Sequence, residues 1–342
     1  MDSNRKQEAV ELLQKEARRL MEKRENVDAI SIGKYDQIPE HKIRIVTYDL
    51  NQELEFVFDR NKDLDKQTHE GDEFYLDMNK EVTDGILYDY FSKTQSKKYF
   101  IVKFVDNDHS KNINPNRTST KSSPILGGHD INSSKTTNGY GTLGSKLNCS
   151  INPNSKFIIT CSHNLTRKSN GNNVEVYSPS TKNSNGVEHK IGDLFWNKYC
   201  NRYDVALVKL DTYGANNILA GIACNKQNLA NLSNNVNEGD FVDFCGFHNE
   251  GKDLEITSDA TYKRIEYGSK DVIEKGFEVE TAKPIRKGDS GSLVLVSGKA
   301  DNKDVCGLIY AMNSKAFYFH KIDIIQEIIE NGMPIFKLEN FK

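Results

Sequence analysis

Apolar positions in this chain recur with two different periods. Over residues 4–25, Val10, Leu13, Ala17, Leu20 and Met21 fall at helical spacing, and Glu11 and Lys15 form a favourable i,i+4 pair. This predicts an amphipathic helix. Its polar face mixes both signs, which fits packing on a small sheet better than lying on a membrane surface. The period then shortens to two. Asp28-Ala29-Ile30-Ser31-Ile32, ended by Gly33, residues 42–48 and residues 54–58 alternate as half-buried antiparallel strands do, and residues 85–91 and 99–104 read as further strands. A helix followed by strands predicts a small α+β domain over residues 1–105. Residues 106–122 are polar and nearly free of apolar side chains, which predicts a linker and a site open to nicking.

From residue 123 onward the pattern is one of short strands separated by turns, the signature of an all-β domain. A Ser/Asn/Gly-rich insertion covers residues 166–186 and reads either as a loop bordering a cleft or as disordered surface. The chain closes on a second amphipathic helix, residues 322–329, stopped at Asn331-Gly332.

Composition narrows the function classes. With 342 residues the chain has room for two domains, and a formal net charge of −3 gives no reason to expect nucleic acid or an anionic membrane as partner. No segment reaches the ~20 apolar residues that span a bilayer. The charged N-terminus does not read as a secretory signal. The six cysteines, 149, 161, 200, 224, 245 and 306, are scattered singly with no C-x-x-C. They read as six reduced thiols in a cytoplasmic protein, with disulfides in an exported protein as the second reading. Neither these cysteines nor the remaining histidines (41, 69, 109, 129, 189, 248 and 320) show metal-ligand spacing, so no metal and no cofactor is expected. His248 reads as a surface turn residue.

Three stretches carry the chemistry. In Lys287-Gly288-Asp289-Ser290-Gly291-Ser292, a serine stands between glycines that permit a sharp turn and close approach of a substrate. Amides of Gly288 and Ser290 can converge there as an oxyanion hole. Residues 157–165 form an apolar strand running into His163, and Asp204 opens the apolar strand of residues 203–210. Chance places a G-D-S-G in about one in one or two hundred such chains. The order His163, Asp204, Ser290 differs from the subtilisin and α/β-hydrolase orders. The hydrolase elbow G-x-S-x-G also fails, because Ser292 stands where its last glycine belongs.

These stretches resemble the trypsin/chymotrypsin-like serine peptidases, and Gly139-Tyr140-Gly141-Thr142-Leu143-Gly144 adds a looser similarity to bacterial members. The resemblance covers roughly residues 123–342. It implies an all-β double β-barrel of the chymotrypsin type with a C-terminal helix, here preceded by the small α+β domain. It implies a serine endopeptidase with a His163–Asp204–Ser290 triad acting on a protein or peptide, with residues 1–105 controlling access or recruiting an activating partner. A non-catalytic protein-binding scaffold on the same fold is the alternative. The implied substrate pocket involves Pro284, Ile285, Arg286, Tyr310, Ala311, Met312 and His320. Pro284 stands where trypsin-type enzymes carry an aspartate, so cleavage after Lys or Arg does not follow. Arg286 either favours an acidic side chain or is solvated, Met312 narrows the pocket, and His320 either reaches substrate or packs. Ile125-Leu126-Gly127-Gly128 resembles the new N-terminus of cleaved zymogens, whose amine would pair with Asp289; a turn entering the first barrel strand is the preferred reading.

Overall fold

A computed structural model describes Met21 and residues 27–34, 41–47, 73–76, 100–106, 124–136, 140–148, 154–168, 173–179, 189–200, 203–223, 229–233, 235–264, 272–281, 288–298, 303–312 and 316–332. The expected strands at 54–58 and 85–91, the linker, and all of the first helix but Met21 lie outside these residues. The chain divides into two compact units. One comprises Met1–Lys111 with Thr257–Glu278, the other Asn112–Ile256 with Val279–Lys342.

The first unit holds strands β1 (Val27–Lys34), β2 (His41–Thr47), β3 (Glu73–Leu76) and β4 (Phe100–Asp106). β1 pairs antiparallel with β2, and β3 with β4. β2 and β4 are parallel, with Lys42 opposite Ile101. More than 50 residues separate the two strands, ample for a crossover. Residues 257–264 also belong here, pairing with β1 so that Ala29 faces Lys263 and Ile32 faces Ala260. This pairing buries Lys263 Nζ 2.7 Å from Asp28 Oδ1, and the Arg264 guanidinium donates to the carbonyl of Met21.

The second unit begins with β5 (Ile125–Gly127), β6 (Asp130–Ser133), β7 (Gly141–Thr142), β8 (Ser145–Asn148), β9 (Lys156–Thr160), β10 (Glu175–Tyr177), β11 (Lys190–Cys200) and β12 (Tyr203–Leu210). The order β7-β6-β10-β11-β12-β9-β8 closes on itself, because β7 and β8 lie on one segment that pairs with β6 at one end and β9 at the other. The result is a closed six-strand barrel. Its interior is apolar, with Ile131, Leu143, Ile158, Val176, Ala206 and Val208 packed together. The insertion after the histidine is in part a barrel strand: β10 sits between β6 and β11, and Val174 and Val176 are core. Two alternating valines were the only apolar signal in that polar stretch, and burial on one face of a strand needs no more.

A short helix, α1 (Thr212–Asn217), capped by Asp211, leads to β13 (Ile218–Ile222), which pairs with β5. The remaining strands are β14 (Leu229–Leu232), β15 (Phe241–Cys245), β16 (Glu250–Arg264), β17 (Val272–Glu280), β18 (Leu293–Val296), β19 (Lys303–Met312) and β20 (Ala316–Lys321), followed by helix α2 (Ile322–Gly332). Within this unit β15 pairs with the start of β16 and with β18, β18 with β19, and β19 with β20, forming a curled sheet. A mostly-β chain with a closed barrel, a curled second sheet and a C-terminal helix has the chymotrypsin-type architecture.

Cys161, Cys200 and Cys306 are free, but Cys245 is disulfide-bonded. The six-thiol expectation is therefore corrected. Sequence spacing reports no proximity, and Cys245 ends a strand whose neighbours are set by the fold. The cytoplasmic expectation drew on these thiols as well as on the charged N-terminus, and the disulfide at Cys245 removes the first of these supports. Among the described residues, no helix is long and apolar enough to cross a membrane.

Candidate active site

The histidine stands where β9 ends. Phe157, Ile158 and Ile159 are buried, the strand stops at Thr160, and Ser162–Asn164 form a single 3-10 turn. Three residues cannot hold a helix by themselves, and side chains take over. The amides of Leu165 and Thr166 donate to the Ser162 carbonyl, Ser162 Oγ donates to the Thr166 carbonyl at 3.0 Å, and Asn197 Nδ2 donates to Ser162 Oγ at 2.7 Å.

Register brings the aspartate to this turn. β12 runs antiparallel to β9 with Ala206 opposite Thr160. Two residues further along each strand, Asp204 faces the turn. Its carboxylate is fully buried and holds His163 twice: Oδ1 accepts the backbone N–H at 2.9 Å, and Oδ2 bonds ring Nδ1. A carboxylate on Nδ1 fixes the tautomer with its proton there, leaving Nε2 as the basic atom. The His163 side chain is 17% exposed, so it opens to the surface while its partner does not.

Behind Asp204 lies His320, 1% exposed and stacked on Tyr310 with ring centroids 4.2 Å apart. Its Nε2 accepts the Asp204 backbone N–H at 3.3 Å, and burial pushes its pKa down to about 4. Of its two expected roles the structure shows packing. Cys161 Sγ, one atom of a donor group with His163 and Asp204 lying within 4.8 Å of one another, donates to the Ile309 carbonyl at 3.0 Å. Burial pushes this thiol well up, aided by the charge of Asp204, so it is no nucleophile at neutral pH. The donor set would suit a borderline metal ion. In this geometry, however, the His163–Asp204 contact and the bond to Ile309 already occupy all three groups.

The loop of residues 288–292 is gripped along its backbone. Gly288 (φ +111°) and Gly291 (φ +97°) both lie in the left-handed region, which favours glycine. A Cβ on Gly288 would also stand 2.5 Å from the Tyr140 ring. Thr142 Oγ1 donates to the Gly288 carbonyl at 2.7 Å and accepts the amide of Phe247 at 3.1 Å. The Asp289 carbonyl accepts Ser292 Oγ and the Ser292 amide. Because C=O and N–H of one peptide point in opposite directions, this turns the Ser290 N–H away from Ser292. Ser290 is 8% exposed, and its carbonyl accepts the Thr142 amide at 2.7 Å and Asn164 Nδ2 at 2.8 Å. Ser290 is thus bonded to the residue next to His163. Among the described residues, no hydrogen bond joins Ser290 Oγ to the imidazole directly. Unliganded sites commonly tighten such bonds only when substrate binds.

Asp289 is buried and held by the turn after β15. The His248 amide donates to Oδ1 at 2.7 Å and Asn249 Nδ2 to Oδ2 at 2.8 Å. Ile125, where the zymogen reading would place a new N-terminus, is the first residue of β5 and buried in the intact chain. His248 is not the surface residue expected. Its ring is half-buried, with Nε2 3.0 Å from Tyr140 Oη, beside the space a Gly288 Cβ would fill. Of the expected pocket residues, Tyr310 and Ala311 are buried, Met312 is half-buried, and Pro284, Ile285 and Arg286 lie outside the described residues. Sequence reasoning missed Thr142, Asn164, Asn249 and Ser292 as supports of the site. Three of them adjoin flagged motifs: Thr142 lies within the 139–144 stretch, Asn164 follows the histidine, and Ser292 sits two residues after Ser290.

No family model matches the chain, and no curated protein matches it. Among solved structures, the chain is similar to Thermobifida fusca protease A at 14% identity, covering 63% of this chain and 98% of the other, with a TM-score of 0.46. A glutamic acid-specific serine protease that uses a histidine triad in substrate binding is 12% identical over 63% and 100% of the two chains, TM-score 0.44. A Cellulomonas bogoriensis chymotrypsin is 14% identical over 63% and 98%, TM-score 0.41. These similar structures are bacterial serine proteases of the trypsin/chymotrypsin type, and the fold of this chain is read from its own strand pairing.

Proposed function

We propose that the protein is a serine endopeptidase acting through an acyl-enzyme. The observation that supports this most is the double hold of Asp204 on His163, with the same turn bonded to the Ser290 carbonyl. Nε2 of His163 takes the Ser290 proton as Oγ attacks the scissile carbonyl. The Gly288 and Ser290 amides stabilise the oxyanion, and the imidazolium, stabilised by Asp204, returns the proton to the leaving amine. Water activated by the same Nε2 then releases the acyl group.

Fluorophosphonate labelling of the full-length protein tests this without a known substrate. Labelling of wild type and not of Ser290→Ala is the expected result. Equal labelling of both, or of neither, rejects the proposal and favours a binding scaffold. We also propose that residues 1–105 control access of protein substrates, which leaves a small probe able to reach Ser290, or recruit a partner. Strands β16 and β17 each contribute residues to both units, which supports this reading by chain continuity. Rapid, unaided cleavage of unrelated unfolded proteins by the full chain would defeat that part.

A further inference from the structure

A buried amide joins the histidine turn to the nucleophile. Asn164 is 4% exposed, and its Nδ2 donates to the Ser290 carbonyl at 2.8 Å and to Thr160 Oγ1 at 3.1 Å. Thr160 Oγ1 donates to the Thr142 carbonyl at 2.8 Å, and the Thr142 amide donates back to the Ser290 carbonyl at 2.7 Å. These bonds close a ring through four residues: Asn164, Ser290, Thr142 and Thr160. Its polarity is forced. A carbonyl oxygen only accepts, so the NH2 of Asn164 must face Ser290. The one hydroxyl proton of Thr160 goes to Thr142, leaving a lone pair for the second Nδ2 hydrogen.

The packing around the ring leaves no slack. A Cβ on Gly141 would fall 2.0 Å from Asn164 Cγ, and one on Gly291 would fall 2.5 Å from Thr160 Oγ1 and 3.0 Å from Asn164 Nδ2. The turn carrying His163 has no side-chain cap of its own. The geometry points to Asn164 as a positioning residue that sets the separation between Ser290 Oγ and His163 Nε2. The inference rests on the peptidase reading and concerns the same site. Asn164 touches neither substrate nor the reacting atoms. It acts by locking the backbone of the nucleophile to the turn that carries the base. A misplacement of about 1 Å between reacting groups can cost on the order of 100-fold.

The test uses the full chain, a p-nitrophenyl ester, a fluorophosphonate and three variants. Asn164→Asp keeps the shape and places acceptors against acceptors. Thr160→Val removes one member of the ring at constant volume. Gly141→Ala drives the amide aside without changing it. For all three, kcat and the labelling rate are expected to fall by about 10- to 100-fold while KM stays within about threefold. Near-UV circular dichroism reports whether each variant is folded. If Asn164→Asp does not fold, Thr160→Val carries the test. A folded variant labelled within twofold of the wild-type rate overturns the inference, as does a loss matching only the unfolded fraction. If wild type itself is not labelled, the peptidase reading falls and takes this inference with it. Labelled wild type with equally reactive variants removes this inference alone.

Discussion

His320 makes the stability of the second unit depend on acid in a calculable way. Its ring is stacked on Tyr310 of β19 and faces Tyr203 and Asp204 of β12, whose backbone N–H it accepts. A protonated Nε2 could no longer accept that bond, and the charge would sit in a dry site. Burial therefore lowers the pKa to about 4 from 6.5, against a smaller opposing pull from the Asp204 carboxylate. The unfolded chain binds the proton first, so the stabilisation is complete above about pH 6.5 and is lost as pH falls towards 4. A gap of about 2.5 between the two pKa values, at 1.36 kcal/mol each, corresponds to roughly 3 kcal/mol. The perturbation is His320→Gln, whose side-chain oxygen can still accept from Asp204 but does not titrate. Urea unfolding from pH 8 to pH 4 measures both proteins. The variant is expected to start less stable at pH 8, through lost stacking, and to lose about 3 kcal/mol less than wild type on acidification. Parallel stability curves would refute the reasoning, because the imidazole would then titrate normally.

Asp204→Asn should keep the fold but present the wrong histidine tautomer, lowering kcat by about 10,000-fold in the ester assay. Asn249→Ala removes one donor to the buried Asp289 carboxylate and should slow fluorophosphonate labelling by about 10-fold or more, with unchanged rate showing that the 248–249 turn does not hold the loop. Asp28→Ala removes the carboxylate that lies 2.7 Å from the buried Lys263 ammonium and should destabilise the first unit by about 3–5 kcal/mol in denaturant unfolding. Iodoacetamide without reductant should leave Cys245 unmodified and Cys161 unmodified until the protein unfolds, as peptide mass mapping would read.

The two candidate residues that meet in the structure were legible because each belongs to a local pattern. An apolar strand running into His163 and one opened by Asp204 are features of a few consecutive residues. Their register, Ala206 opposite Thr160, then has one way to bring them together. Other features were not local. Val174 and Val176 looked like isolated apolar residues in a polar loop, and only pairing with β6 and β11 makes them a core strand. His248 looked exposed because it stands in a turn; Tyr140, 108 residues away, bonds its ring.

By itself the sequence determined the β character of residues 123–342 and the helix at the C-terminus, and it singled out His163, Asp204 and Ser290, the three side chains on which the proposed function rests. Period-two patterning reports which face of a strand is buried, and a short motif reports what its own backbone can do. Neither reports which distant segment supplies the neighbour. Tertiary structure alone decided that residues 257–278 join the first unit, that Cys245 is paired, and that Asp289 is held by Asn249. It alone decided that Asn164 ties the histidine turn to Ser290. These are contacts between segments far apart in the chain, set by strand register and barrel closure, and a single buried hydrogen bond leaves no periodic trace in the residues that make it.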